Sequence, residues 1–194
     1  MSSRASPCRS VARSDERRQP VGAACEAGID VVALSRHVDE HGVLAGFQQN
    51  ARVDVLASDA IVTAPVDVLV PAAVGEVIHA GNVADVQCSL IIEGANHPVT
   101  PWADAALADR GVTVVPDVLA NAGGVLTSYF EWVQNLQQLA WTERDVLQRL
   151  DRGMEAAYDD VCRRAGEQAV SLRDAAYEIA VAKVAEATLL RGTS

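Results

Sequence analysis

The chain has 194 residues, of which 26 are acidic and 16 basic, with a formal net charge of −10 at pH 7 and 49% hydrophobic residues. That length can bury a sizeable core, and the acidic balance argues against a basic face for nucleic-acid phosphates. No apolar run reaches the roughly 18 residues of a membrane span, since the longest, 61–78, is broken by Pro65, Asp67, Pro71 and Glu76.

In chain order, the first 20 residues hold five arginines, five serines and two acids, with almost no large apolar side chains. Arginine and serine enrichment fits a transit peptide, but the apolar face of a transit helix is missing. A segment that buries so little is expected to stay disordered. Residues 1–28 are therefore expected to be a disordered or unrelated tail, and 29–194 one folded domain. Val31, Leu34 and Val38 stand at helical spacing between Asp30 and Gly42, which predicts a helix over 30–42. Residues 45–64 are mixed, and an irregular stretch with a short helix is expected there.

Then the pattern becomes regular. Short apolar runs at 66–70, 89–92 and 112–115 predict strands, and weakly helical stretches separate them. One of these stretches is 75–85. The other starts at Pro101, where a missing N–H costs nothing, with Thr100 as its cap, and stops near Gly111. Strands alternating with helices predict a parallel β-α-β sheet, an α/β fold. The rest is expected to be helical. Thr142 with Asp145 forms a capped start. Val146, Leu150, Met154, Ala157 and Val161 make one apolar stripe, with Gly166 as the stop. Ser171 with Asp174 opens a last helix that turns Ala176, Ile179, Ala180, Val184 and Ala187 inward and ends at Gly192. Cys8, Cys25, Cys88 and Cys162 fit no zinc or redox spacing, so no metal and reduced thiols in a cytoplasmic protein are expected.

The chemistry concentrates in NAGGVLTSYFEW, 121–132. Adjacent glycines allow a close backbone approach and positive φ. Asn121 and Ser128 add donors and acceptors, and Tyr129, Phe130 and Trp132 an aromatic wall. Parallel strands would bring Ala72-Ala73, the turn 93–96 and the turn 121–124 to one edge, where open α/β sheets bind ligands. On spacing alone, Asn96 and Asn121 read first as turn residues bonding their own backbone, and Ser128 reads equally as a helix cap. His37, His41 and His79 read as solvated helix residues.

NAGGVLTSYFEWVQN (121–135), EGANHPVTP (93–101), DVLVPAA (67–73) and SLRDAAYEIAVAKVAEATLLRG (171–192) resemble the glutamate/leucine/phenylalanine/valine dehydrogenase family, glutamate branch, over about residues 30–192. The resemblance implies the C-terminal part of that family's cofactor-binding domain, an incomplete Rossmann-like parallel sheet followed by C-terminal helices. It implies that Ala72, Ala73, Asn96 and Asn121 contact NAD or NADP, and that Asn121, Val125 and Ser128 face an amino-acid or 2-oxo-acid substrate. The implied chemistry is hydride transfer from an α-amino carbon to a nicotinamide. His97 stands where the family has glycine, and Val99 where it has threonine. A bulky imidazole and a lost hydroxyl at the cofactor turn both predict weakened binding.

The 194 residues contain no GxGxxG turn and a single lysine, Lys183, placed in the last helix. The family's upstream catalytic lysines and aspartate have no counterpart here, and arginine does not deprotonate to replace a basic lysine. No catalytic residue is therefore assigned. The expectation is a truncated oxidoreductase, inactive alone. The alternatives are a non-catalytic binding or assembly module that works with an N-terminal dehydrogenase piece or as a homo-oligomer, and a gene remnant.

Overall fold

The computed structural model describes residues 10–13, 21–25, 27–48, 52–57 and 59–192. Two three-stranded sheets and six helices organise it. The first sheet is antiparallel: β1 (Ser10–Arg13), β2 (Val21–Cys25) and β3 (Asp54–Ala57), in that order. β1 and β2 lie within residues 1–28, where a disordered or unrelated tail was expected. The hydrogen-bond ladder overrides the weak local pattern there. Residues 1–9 and 14–20, with Cys8, lie outside the described residues.

Helix α1 (Val31–His41) matches its expected caps. The Asp30 carboxylate accepts from the Ala33 N–H, and Gly42 closes the helix at φ 71°, a conformation glycine adopts without steric cost. Residues 45–64 are less irregular than expected: β3 runs through them, followed by a 3-10 turn at Asp59–Ile61.

The second sheet is parallel, as expected, in the order β4 (Val68–Leu69), β5 (Leu90–Ile92), β6 (Thr113–Val115). Between β4 and β5 the expected helix over 75–85 shrinks to a 3-10 turn at Val83–Asp85. Asn82 takes over locally: its Oδ1 accepts from the His79 N–H and its Nδ2 donates to the Val77 carbonyl. Such side-chain bonding competes with a regular helix. His79 is thus a turn residue, its Nδ1 accepting from the Gly81 N–H. Helix α2 (Pro101–Asp109) links β5 to β6, with Thr100 before Pro101 and Gly111 at φ 73° after it. Leu69, Ile78, Val86, Ile91, Val99 and Leu107 form the core beneath this sheet.

β6 leads into α3 (Asp117–Ala120), α4 (Ala122–Gln137), α5 (Glu143–Gln168) and α6 (Leu172–Leu190). α5 opens on the expected Thr142–Asp145 capping box. It runs past Gly166 and stops at Ala169 in the left-handed conformation (φ 55°). Ala175 and Ala176 of α6 pack with Leu119 and Val161 in a second core. The inward stripe expected along α6 ends early, since Val184 is 67% exposed and Ala187 is exposed as well. Among the described residues no helix is long and apolar enough to cross a membrane.

Candidate functional site

The C-terminal ends of β4, β5 and β6 are knitted together. The Glu93 N–H donates to the Val115 carbonyl and the Ala95 N–H to the Pro71 carbonyl. Gly94 lies so close to the 71–73 turn that an added Cβ would sit 2.9 Å from the Ala72 Cβ. Farther along, the Glu76 N–H donates to the His97 carbonyl, and a Cβ on Gly75 would stand 3.1 Å from the Asn96 carbonyl oxygen. These glycines are spacers that let two loops stack.

Asn96 ends the first of these turns. Its Oδ1 accepts from Asn121 Nδ2 at 2.7 Å. Asn121 joins α3 to α4 at φ −100° and does not cap α4 with its side chain. Its amide reaches across the crevice instead of bonding its own backbone, so the turn-residue alternative does not describe it. With that pair made, Asn96 Nδ2 and Asn121 Oδ1 have no other partner among the described residues, which leaves a donor group and an acceptor group open. Val125 and Ser128 follow Asn121 by four and seven residues, which places all three on one helix face. Val125 is 75% exposed. Ser128 lies within α4, so it is not a helix cap, and its hydroxyl donates to the Gly124 carbonyl one turn back. Ala72 and Ala73 are exposed on the facing turn.

Gly123 and Gly124 are not a turn. Both lie in the first turn of α4 with no positive φ, and nothing stands within 4 Å of a Cβ on Gly124. In the 93–97 turn the positive φ belongs to His97, at 50°, and across from it Glu76 has φ 56°. A glycine would hold this conformation freely, whereas a histidine is strained in it. His37 and His41 are on α1, and their rings stack with centroids 4.3 Å apart.

Behind the crevice lies a charged cluster that sequence spacing does not reveal. Glu93 is fully buried, 0% exposed. Arg173, from the first turn of α6, grips it with two bonds of 3.0 and 2.8 Å. The same guanidinium binds Asp104 of α2 at 2.9 and 3.1 Å and stands 3.8 Å from Asp117. Burial works against its charge, but the bonds to Glu93 and Asp104 outweigh that and raise its pKa above the ordinary arginine value. The backbone joins in: the Asp117 N–H donates to Glu93 and the His97 N–H to Asp117, both at 2.8 Å. The signal in the sequence was an acid closing an apolar strand and an arginine beside buried alanines. Their 80-residue separation hid the pair.

A family model described as Glutamate/Leucine/Phenylalanine/Valine dehydrogenase matches residues 11–192. The chain belongs to this dehydrogenase family. Among its relatives, the glutamate dehydrogenase of Thermotoga maritima is 44% identical over 165 residues, which is 85% of this chain and 39% of that protein. The NAD-specific glutamate dehydrogenase A of Halobacterium salinarum is 41% identical over 85% of this chain and 37% of its own. The chain therefore spans well under half the length of the family members it matches. Its fold is similar to the hetero-hexameric glutamate dehydrogenase of Thermus thermophilus in a leucine-bound form, with TM-score 0.80 and 32% identity over 89% of this chain and 40% of that one. The Peptoniphilus asaccharolyticus glutamate dehydrogenase superposes with TM-score 0.74 and 31% identity. The match begins at residue 11, earlier than the expected start near residue 30, and takes in the antiparallel sheet.

Proposed function

We propose that this chain is the cofactor-domain portion of an NAD(P)-dependent glutamate dehydrogenase, and that the crevice at the sheet's C-terminal edge receives the nicotinamide riboside. The observation that carries this reading is the Asn96–Asn121 bond. It ties a strand-end turn to the helix bearing Val125 and Ser128, with a donor group and an acceptor group left for a carboxamide or ribose hydroxyls. Ala72 and Ala73 form the facing wall, where small side chains leave room for a ring. Asn121, Val125 and Ser128 face an amino-acid or 2-oxo-acid substrate. When bound, the nicotinamide accepts the hydride, and this chain's own part is to hold and orient.

The residues present fit that end of the dinucleotide and not its pyrophosphate, for which the 194 residues offer no glycine-rich turn. Binding to these residues alone is therefore weak, and His97 weakens it further. Turnover also needs a group to take the ammonium proton and a cation to fix the substrate carboxylate. Lys183 lies in α6, away from the crevice turns.

A second reading, an assembly module, is favoured by α4. Its 16 residues carry one charge, Glu131. Val125, Tyr129, Trp132 and Leu136 form an exposed apolar stripe, with Val125 at 75% and Leu136 at 65%. An exposed stripe of this kind marks a contact surface. The test is glutamate-dependent NAD(P)H formation by the purified 194-residue chain, with and without the N-terminal portion of a related enzyme in trans. No rate alone and a rate in the mixture supports both readings. A rate from the chain alone contradicts its expected inactivity, and a rate in the mixture that Asn121→Ala leaves unchanged contradicts the first reading.

A further inference from the structure

The geometry points to Arg173 as a positioning residue for the crevice turn, acting from α6 through Glu93 and Asp117 on Asn96 and His97. The chain of contacts is continuous. Arg173 holds the Glu93 carboxylate with two bonds, and Glu93 Oε2 also accepts from the Asp117 N–H at 2.8 Å. That bond fixes Asp117, whose Oδ2 accepts from the His97 N–H at 2.8 Å. Asp117 Oδ1 accepts from Val118 N–H and lies 3.8 Å from Arg173 Nη1. His97 occupies the left-handed region, so its backbone relies on such bonds to stay there. Asn96, its chain neighbour, presents the amide that meets Asn121.

Only an arginine suits this place. Two carboxylates are each held by two bonds from one planar guanidinium, a fork geometry that an ammonium cannot reproduce. The second carboxylate, Asp104, fixes the guanidinium from the α2 side. Arg173 itself lies in the first turn of α6, next to the buried Ala175 and Ala176. Where α6 sits thus sets how the turn 94–97 is presented, at a distance from the crevice and without Arg173 touching a ligand. The inference rests on the proposed reading of the crevice only for its functional meaning.

The test is residue-resolved amide exchange by NMR on the full 194-residue chain, in Arg173→Lys and in the paired Glu93→Gln/Arg173→Met. The pair removes the fully buried carboxylate together with its arginine, and leaves only the partly exposed Asp104 and Asp117 without that cation. In both variants the His97 amide is expected to lose about tenfold or more of its protection, while Ile91 and Val114 in the sheet change by less than about threefold, as local opening does. Equal losses at His97 and in the sheet would reduce Arg173 to a general staple and overturn the proposal. Unchanged protection at His97 would overturn it too. A parallel titration with NAD and NADP separates the two claims. Absence of any dinucleotide effect on the unsubstituted chain would remove the cofactor reading and leave the exchange data to decide the positioning role.

Discussion

The side-chain amide of Asn121 meets that of Asn96 at 2.7 Å, across 25 residues of chain and from a different element. Replacing Asn121 by Ala removes the side-chain bond that bridges the 93–97 turn and the start of α4. The pair is exposed on the Asn96 side, so the stability cost should be small, about 0.5–1.5 kcal/mol for one hydrogen bond. Dinucleotide-dependent shifts at Ala72, Ala73 and Asn96 should nonetheless weaken. Denaturant unfolding and NMR titration of the same variant check both halves.

Gly94→Ala should be costly. The new Cβ would stand 2.9 Å from the Ala72 Cβ and 3.3 Å from its Cα, atoms that cannot rotate away. Overpacking of this kind costs roughly 1–3 kcal/mol, read as a lower urea midpoint. Gly153→Ala is the control: its Cβ would meet only the Leu126 side chain, whose Cδ2 at 2.6 Å is the far end of a flexible group that can turn away. The loss there should be smaller. Equal losses would count against the stacked-loop picture.

His97→Gly should relieve strain and uncover the crevice. At φ 50° a histidine is disfavoured by about 1 kcal/mol or more relative to glycine. The variant should be at least as stable as the original and bind NAD or NADP more tightly. Unchanged affinity by calorimetry would show that the imidazole does not obstruct the dinucleotide.

The acid response of α5 has a defined origin. Hydrogen bonds from Thr142 hold the Asp145 carboxyl below the ordinary carboxylate range. A carboxyl depressed in the folded state contributes stability above its unfolded pKa and loses it as pH falls through the folded value. Thr142→Ala should therefore remove the cap's contribution near neutral pH and flatten the acid limb of unfolding. Parallel acid titrations followed by circular dichroism compare the two. An identical limb in the variant would contradict this origin.

Much of this was legible from local rules. Three apolar runs became three parallel strands, because β-branched runs bounded by turn residues have few other ways to be buried. Asp30, Thr142 and Ser171 marked helix starts, because caps are local chemistry. What failed was set at long range. β1 and β2 depend on ladder partners, including β3, that periodicity does not expose. Gly123-Gly124 looks like a turn in sequence, yet helix α4 absorbs both, and the positive φ falls on His97. The meeting of Asn96 with Asn121 followed from parallel strand order, but the Arg173–Glu93 pair did not, since no local pattern links positions 80 residues apart.

The most direct test of the account is an NMR titration of the 194-residue chain with NAD and NADP, with backbone and asparagine side-chain amides assigned. The account predicts weak binding, with a dissociation constant well above micromolar. The shifts should concentrate at Ala72, Ala73, Asn96 and Asn121 and spread little beyond Val125 and Ser128. Saturating shifts elsewhere in the chain, with Asn96 and Asn121 unmoved, would contradict it.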